Sequence, residues 1–180
     1  FSIEPMIKVG DSLFNWSNVK TIHSLGTSED KRDFNFAPTV TWNCNDLKFV
    51  TGITATGEAN KSSRLDIRYS FKNLSNQPKD FEFYLLIRPY QVNPYYQFLN
   101  LAGGVGKIKS IKEEGNLISV DDKVVLPQKK YDSFGASAFD EGNIVDFIRK
   151  REMPLNKSVV DQSGLANGII KYSLHLNLGE

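Results

Sequence analysis

The chain has 180 residues with 22 basic and 21 acidic side chains, which leaves a net charge of +1. This balance argues against nucleic acid as the main partner, because phosphate binding requires a concentrated positive face. No apolar run approaches the roughly 20 residues of a membrane-spanning helix, and a chain of this length can bury enough surface to fold without a disulfide or a metal.

Alternation of apolar and polar residues predicts a series of antiparallel strands. The segment 81–88 is apolar at both odd and even positions, which is typical of a central strand covered on both faces. In 171–178 the apolar residues from Tyr172 to Leu178 are expected to point inward. The dipeptide Asn45-Asp46 is typical of a tight hairpin turn. The predicted strands cover residues 39–44, 47–55, 64–72, 81–88, 117–120, 123–126 and 171–178.

One short helix is predicted near residues 141–150. Its apolar stripe consists of Ile144, Phe147 and Ile148. Asp140 stands where an N-cap is expected, and the basic run 149–151 suits the negative end of a helix better than it suggests a partner contact. Together the elements predict an all-β protein: an antiparallel, supersandwich-like β-sandwich of roughly 8–12 strands, forming a single domain over residues 1–180.

Histidine and cysteine do not predict a metal site or a cofactor. The two histidines, His23 and His175, are far apart, and neither a His-x-His nor a Cys-x-x-Cys spacing occurs. Cys44 follows the inward register of Trp42, so we expect a buried structural thiol rather than a nucleophile.

The acidic residues leave two other sites open. Asp140 and Glu141 form the one acid pair in a suggestive place, but neighbours at a helix start point apart, and a capping role explains Asp140 without chemistry. A calcium site near Asp121, Asp122 and Asp161 also stays open, although the spacing of an EF-hand is absent.

The glycine-rich stretch LAGGVG, residues 101–106, does not predict a phosphate-binding loop. Such a loop requires a helix after it and a Lys-Ser/Thr pair at fixed spacing. Here the strand-like KIKSIK follows instead. We expect the glycines to permit a tight turn or close sheet packing.

The segment 87–100, IRPYQVNPYYQFLN, has no regular period and carries one charge. Loops longer than about 12–15 residues are usually functional or disordered, and this one is too aromatic for disorder. Three roles fit it: packing over a sheet edge, docking another domain, or stacking on sugar rings. The candidate carbohydrate-binding or interdomain residues are Arg88, Tyr90, Gln91, Asn93, Tyr95, Tyr96, Gln97 and Phe98.

Three stretches carry a resemblance to a known group of proteins. They are IRPYQVNPYYQFLNLAGGVGKIKSI, FGASAFDEGNIVDFIRK and MPLNKSVVDQSGLANGIIKYSLHLNLGE. This region resembles part of large bacterial proteins of the discoidin or coagulation-factor 5/8 type, which are related to six-hairpin glycosidases. The resemblance spans roughly residues 39–180 and is strongest at RPYQVNP and FDEGNIV.

In that group a β-sandwich of this kind accompanies an (α/α)6 barrel, as in glucoamylase-like enzymes and sugar phosphorylases, and the catalytic acids belong to the barrel. The resemblance therefore implies no catalytic residue in this chain. It implies a fragment of a larger, secreted or periplasmic bacterial protein. The fragment would be a non-catalytic accessory domain that packs against a neighbouring (α/α)6 domain or shapes its groove.

Two alternatives remain. The chain is a free-standing carbohydrate-binding module if the aromatic residues of 90–98 form an exposed platform for a glycan. It is a glycosidase using Asp140 or Glu141 if a second carboxylate lies about 5–10 Å away across an open cleft.

Overall fold

The computed structural model describes residues 1–27, 36–93 and 104–180. Most of these residues lie in antiparallel strands, and the described ranges contain one short α-helix. The predicted all-β, sandwich-like fold class is thereby confirmed.

The strands are short and mostly joined by turns. In the first half of the chain they are β1 Ser2–Val9, β2 Ser12–Phe14, β3 Thr21–Thr27, β4 Phe36–Cys44, β5 Leu47–Thr56, β6 Arg64–Asn73, β7 Lys79–Arg88 and β8 Tyr90–Asn93. In the second half they are β9 Gly104–Gly106, β10 Ser110–Glu114, β11 Leu117–Val120, β12 Lys123–Val125, β13 Ser133–Ser137, β14 Ser158–Val160 and β15 Asn167–Leu176. The fifteen strands in the described ranges exceed the roughly 8–12 expected from average strand lengths, because several span only three or four residues.

The chain divides into two compact units. The first comprises Phe1–Leu13 and Glu82–Leu174, and the second comprises Phe14–Phe81 and His175–Glu180. The first unit holds most of a five-stranded sheet, ordered β13-β15-β7-β1-β2, together with a four-stranded sheet, ordered β12-β11-β10-β14, and the ribbon β8-β9. The second unit holds a four-stranded sheet, ordered β3-β4-β5-β6.

The helix α1, Ile144–Lys150, follows a 3-10 turn at Phe139–Glu141. Gly142 separates the two with φ 98°, and the Asn143 side chain caps α1 by accepting from the backbone N–H of Val145 at 3.0 Å. The predicted helix is confirmed, but the prediction that Asp140 caps it is wrong. Asp140 lies inside the 3-10 turn, and the positive φ of Gly142 moves the helix start to Asn143.

Strand β7 is the middle strand of its sheet and is covered twice, as its sequence predicts. On one face it packs against α1, and the resulting cluster contains Met6, Tyr84, Leu86, Ile144, Val145, Ile148 and Ile169. On the other face the Phe83 and Tyr172 rings stack with centroids 6.0 Å apart. Both faces of β7 are therefore buried from Phe83 to Ile87, whereas Asp80 near the start of the strand is exposed.

Close packing of the two sheets in the first unit depends on small residues. A Cβ on Gly168 would lie 2.5 Å from Ile111 Cδ1, so the side chain of β10 fills the space that glycine leaves on β15. A Cβ on Gly135 would lie 2.2 Å from the Pro154 carbonyl oxygen, where the chain returns after α1. Gly135 therefore requires glycine, because the clash would be with backbone, whereas a side chain at position 168 would force the buried Ile111 side chain to shift.

The sheet of the second unit has one aromatic face. Asn45 and Asp46 have φ values of 45° and 60°, which identifies the predicted hairpin turn between β4 and β5. Beside it Phe49 lies 5.1 Å from both Trp42 and Phe71 between ring centroids.

Two apolar residues that the alternation places on inward faces are not buried. Leu65 begins the inward row of β6 and is 58% exposed, whereas residues further along that row are half-buried. Leu178 is 63% exposed, so the prediction that it points inward is wrong. Strand β15 ends at Leu176, and the last residues form a turn instead.

The packing of α1 on β7 gives a test of the first unit. Replacing Ile148, which is fully buried, with alanine removes its contacts with the sheet and leaves a cavity. We expect Ile148→Ala to lower the free energy of unfolding by about 2–5 kcal/mol in urea titrations followed by circular dichroism. The matched control Lys150→Ala, on the exposed side of the same helix, should change it by less than about 0.5 kcal/mol. Equal effects would show that α1 is not part of the core.

Candidate functional site

Arg88 is held by side chains of the neighbouring strand β1. It ends β7 and pairs in register with Ser2 of β1. Its Nη1 atom donates to Glu4 Oε2 at 3.1 Å, and the Ser2 hydroxyl donates to Glu4 Oε1 at 2.9 Å. Both charged side chains are partly buried, so the Arg88 side chain is held in place at the end of β7.

Tyr90 begins the ribbon of β8 and β9 and presents its ring to solvent. The ring is 55% exposed. Tyr90 pairs in register with Gly106, which offers no side chain to cover it from across the ribbon. An exposed aromatic ring two residues after an anchored arginine suits both protein docking and stacking on a planar ligand.

The other candidates of 87–100 are placed only in part. Gln91 and Asn93 belong to β8, and a register shift between them marks a bulge or irregularity in the ribbon. Tyr95, Tyr96, Gln97 and Phe98 lie outside the described residues. The glycines at 104 and 106 form β9, which is consistent with close strand pairing. A shared surface for all eight residues stays a prediction.

The Glu141 carboxylate accepts hydrogen bonds from one backbone group and one side chain nearby. Its Oε2 atom accepts from the Ala138 N–H at 2.8 Å, and its Oε1 atom accepts from the Asn156 amide at 2.9 Å. The carboxylate thus joins the 3-10 turn to the strand bridge at Asn156. Asp140, its neighbour, is exposed.

An open recess of about 140 Å³ lies beside Glu141. Ligand pockets for small molecules usually enclose about 300–1,000 Å³, so this recess is too small for a sugar chain to be enclosed. Asp146 also lines it, and its carboxylate accepts from Arg149 at 2.7 Å. Glu141 and Asp146 therefore both accept hydrogen bonds from other groups of the chain.

Asp161, which the sequence offers as a possible calcium ligand, is buried. Its carboxylate accepts from the Phe139 N–H and the Ser163 N–H, both at 2.7 Å, and from the Ser163 hydroxyl. Its own N–H donates to the Lys109 carbonyl at 2.8 Å. The Ser163 hydroxyl, and next the Phe139 N–H, hold the pKa of this carboxyl below its ordinary value. Asp161 therefore joins three segments that are distant in sequence.

The remaining acids considered for calcium are also used internally. Asp121 accepts from the N–H groups of Lys109 and Ser110 at 3.0 and 2.8 Å, and Asp122 pairs with Lys123 at 2.6 Å. Within the described ranges, no group of three or more His, Cys, Asp or Glu side chains is arranged to hold a metal ion.

Cys44 is buried, as its register predicts. Burial raises the pKa of its thiol to about 11, which disfavours the thiolate that a nucleophile requires.

His175 lies on the exposed face of β15. Its Nδ1 atom lies 2.7 Å from Asp80 Oδ1, and both side chains are exposed. The hydrogen bond to Asp80 raises the pKa of His175.

Comparison with models of known protein families gives no match for this chain, and no curated protein sequence matches it significantly. The resemblance described above therefore stays a hypothesis. Among the described residues, no helix has the length and apolar character needed to cross a bilayer.

The role of Asp161 can be tested by Asp161→Asn. A lowered native pKa contributes stability above the unfolded value of 3.8, and this contribution is lost as the pH falls through the native pKa. The variant should therefore be less stable than the wild type at pH 7, and the difference should shrink below pH 3.8, in denaturant titrations at both pH values. Asp140→Asn is the control and should leave stability unchanged at both. A loss as large in that variant would show that the effect is not specific to the Asp161 carboxylate.

The contribution of the His175–Asp80 pair to stability should depend on pH in the opposite direction to that of Asp161. Because Asp80 raises its pKa above the ordinary 6.5, the pair stabilises the fold fully below pH 6.5 and ceases to do so as the pH rises through the native pKa. In Asp80→Asn the pKa of His175 should fall, as measured by NMR titration of the imidazole protons. The stability difference between the two proteins should disappear at alkaline pH. An unchanged His175 pKa would show that the pair does not form in solution.

Proposed function

We propose that this chain is a non-catalytic β-sandwich accessory domain of a carbohydrate-active bacterial protein. In this proposal it packs against a neighbouring (α/α)6 domain or shapes the groove of that domain. The observation that carries the proposal is the exposed ring of Tyr90 at the start of the aromatic segment 87–100. The kind of neighbouring domain is inferred from the sequence resemblance, and the position of the docking surface is inferred from the exposed Tyr90 ring.

The setting of Tyr90 supports a docking role. Tyrosine and arginine are enriched where proteins meet, and the most important contacts are aromatic rings that a partner covers. Arg88, two residues earlier, is already bound to Glu4, so the ribbon begins from a fixed point. A surface that is fixed before docking loses less entropy on binding than a mobile one.

The acids support a non-catalytic role. A glycosidase needs one carboxyl group to donate a proton and a second to stabilise or attack the sugar. Glu141 accepts hydrogen bonds at both of its oxygens from the protein itself, and Asp161 is buried in a backbone network. Each of these acids has a structural task that explains its position.

The same exposed ring favours a second candidate, a carbohydrate-binding module. A sugar presents apolar C–H groups on its ring face, and an exposed tyrosine can stack on that face while amide side chains bind hydroxyl groups. Gln91 and Asn93 follow Tyr90 on the same strand. The two candidates differ in what covers the ring: a protein domain or a free glycan.

Binding of the isolated chain to a panel of neutral glycans separates them. If the accessory-domain proposal holds, the chain binds no glycan in the panel, and Tyr90→Ala, Tyr95→Ala and Tyr96→Ala alter only its stability. Binding that Tyr90→Ala weakens by roughly tenfold or more, and that Phe139→Ala leaves intact, would support the carbohydrate-binding module instead. Phe139 is a matched control because its ring is 59% exposed in the same unit.

Radical footprinting tests the docking itself. Modification of Tyr90 should be rapid in the isolated chain and slow in the full-length product of the gene, because the neighbouring domain would cover the ring. Phe139 reports any general change in exposure. Equal modification of Tyr90 in both proteins would contradict an interdomain role for this surface.

A further inference from the structure

The outer face of the sheet in the second unit carries an unusual distribution of charge. Residues paired directly across strands share a face, and every second residue along a strand joins them. On this face β5 and β6 present four cations and one carboxylate, Lys48, Arg64, Asp66, Arg68 and Lys72. The net charge of this face is thus +3, compared with +1 for the whole chain.

Two of the cations lie directly opposite each other. Lys48 on β5 pairs in register with Lys72 on β6, and both side chains are exposed. Like charges at this position repel and destabilise a sheet. Neither lysine makes an ion pair within the described ranges, and the same holds for Arg68, whereas Arg64 is bound to Asp66 at 2.7 Å. Three cations on one face therefore have no anion of the described chain against them.

Protection of a sheet edge explains only part of this pattern. Charged side chains, lysine above all, often prevent edge strands from pairing with other chains. Arg68 and Lys72 lie on β6, which ends the strand order of the sheet. Lys48, however, lies on β5, which has β4 on one side and β6 on the other. An edge-protecting role does not account for a lysine on an interior strand opposite another lysine.

Gly52 leaves open space in the middle of this face. It pairs with Thr39 on one side and Arg68 on the other. A Cβ added there would meet nothing nearer than Thr39 Cγ2 at 4.0 Å, and its φ is not positive. Neither packing nor backbone conformation requires glycine here. A glycine inside a strand often marks a bulge, a bend or the close approach of a ligand or another backbone. Because β5 pairs in regular register on both sides of Gly52, we assign this glycine to the approach of a ligand.

Most neutral residues around the cations carry hydroxyl or amide groups, namely Thr39, Thr41, Asn43, Thr54 and Ser70. Val50 and Ile22 are apolar members of the same face. The hydroxyl and amide groups donate and accept hydrogen bonds without charge, as the hydroxyl groups of a sugar do. Among the described residues of β3 to β6, the register places no aromatic side chain on this face.

This composition favours an acidic polysaccharide over nucleic acid. Binding to DNA depends mainly on many contacts between cations and closely spaced phosphates, and proteins that bind single strands stack bases on aromatic rings. Three free cations among hydroxyl groups suit a chain of lower charge density that is rich in hydroxyl groups.

We propose that this outer face binds an acidic polysaccharide of the uronate class. The carboxylates lie against Lys48, Lys72 and Arg68, and a sugar ring lies over Gly52. The site belongs to the second unit and does not depend on the proposed function of Tyr90, which lies in the first. Failure of either proposal therefore leaves the other standing.

The test measures binding of the complete chain to polygalacturonate by affinity electrophoresis at low salt. We expect the double variant Lys48→Glu/Lys72→Glu to lose roughly tenfold in affinity, since exposed ion pairs contribute modestly and two are reversed. The matched control Lys129→Glu/Lys130→Glu makes the same charge change at exposed residues of the first unit and should retain binding. Added salt should weaken the wild type by screening.

Two single variants separate binding from folding. Lys72→Glu places opposite charges across β5 and β6, so its thermal midpoint should be unchanged or higher while binding falls. Gly52→Ala has room for its methyl group, so the fold should persist while the ligand is held further from the backbone and binds less tightly.

Three results would overturn the proposal. One is equal binding by the wild type and the Lys48→Glu/Lys72→Glu variant. Another is an equal loss in the Lys129→Glu/Lys130→Glu control, which would reduce the effect to net charge. The third is binding of a DNA duplex as tight as that of polygalacturonate, which would identify general attraction of polyanions.

Discussion

The double burial of β7 is the constraint on which the first unit depends. From Phe81 to Ile87 all but one side chain of the strand is buried, so each face must be covered by another element. The helix α1 covers one face, and the second sheet of the unit covers part of the other, where Ile111 meets Gly168. An amphipathic strand would require only one of these layers. The sandwich-like packing of the unit follows from this one strand.

Polar groups on the helix side of that sheet are arranged to tolerate burial. The Tyr84 hydroxyl donates to Glu82 at 3.0 Å, and Glu82 forms an ion pair with Lys171. The Lys171 ammonium also lies 5.8 Å from the centre of the Tyr84 ring. A buried hydroxyl or charge without such partners would cost several kcal/mol. Because these groups satisfy one another, the sheet remains apolar where α1 packs and polar only at its margin.

The connections around α1 depend on side chains that act on distant backbone groups. Asp161 joins the segments of Phe139 and Lys109, and Glu141 joins Ala138 to Asn156. These carboxylates replace hydrogen bonds that a regular strand or helix would supply, as buried or partly buried backbone groups require partners. This structural use accounts for the position of Glu141, which the sequence offers as a catalytic candidate, and for that of Asp161, which it offers as a calcium ligand.

The second unit separates its chemistry by face. One face of the sheet carries the aromatic cluster around Phe49, and the other carries cations and hydroxyl groups. Such separation is the normal result of period-two alternation in a sheet with one dry face. The positive charge on the exposed face depends on how the strands pair, because the register alone decides that Lys48 lies opposite Lys72. That charge is what makes the outer face a surface for an anionic partner.

The sequence by itself determined seven of the fifteen described strands, the hairpin at Asn45 and Asp46, the central position of β7 and the existence of α1, because periodicity and turn chemistry are local. The other eight strands are mostly too short or too irregular in pattern to show a period of two. The sequence also determined the burial of Cys44. The candidate residues Arg88 and Tyr90 were identified from composition, but the partner of Arg88 lies on β1, which no local pattern reveals. Tertiary structure alone decided that Asn143 rather than Asp140 caps α1, that Asp161 is buried, and that Lys48 faces Lys72. Each of these depends on contacts between residues far apart in the chain, and pairing across such distances is set by how the whole sheet closes, not by neighbouring residues.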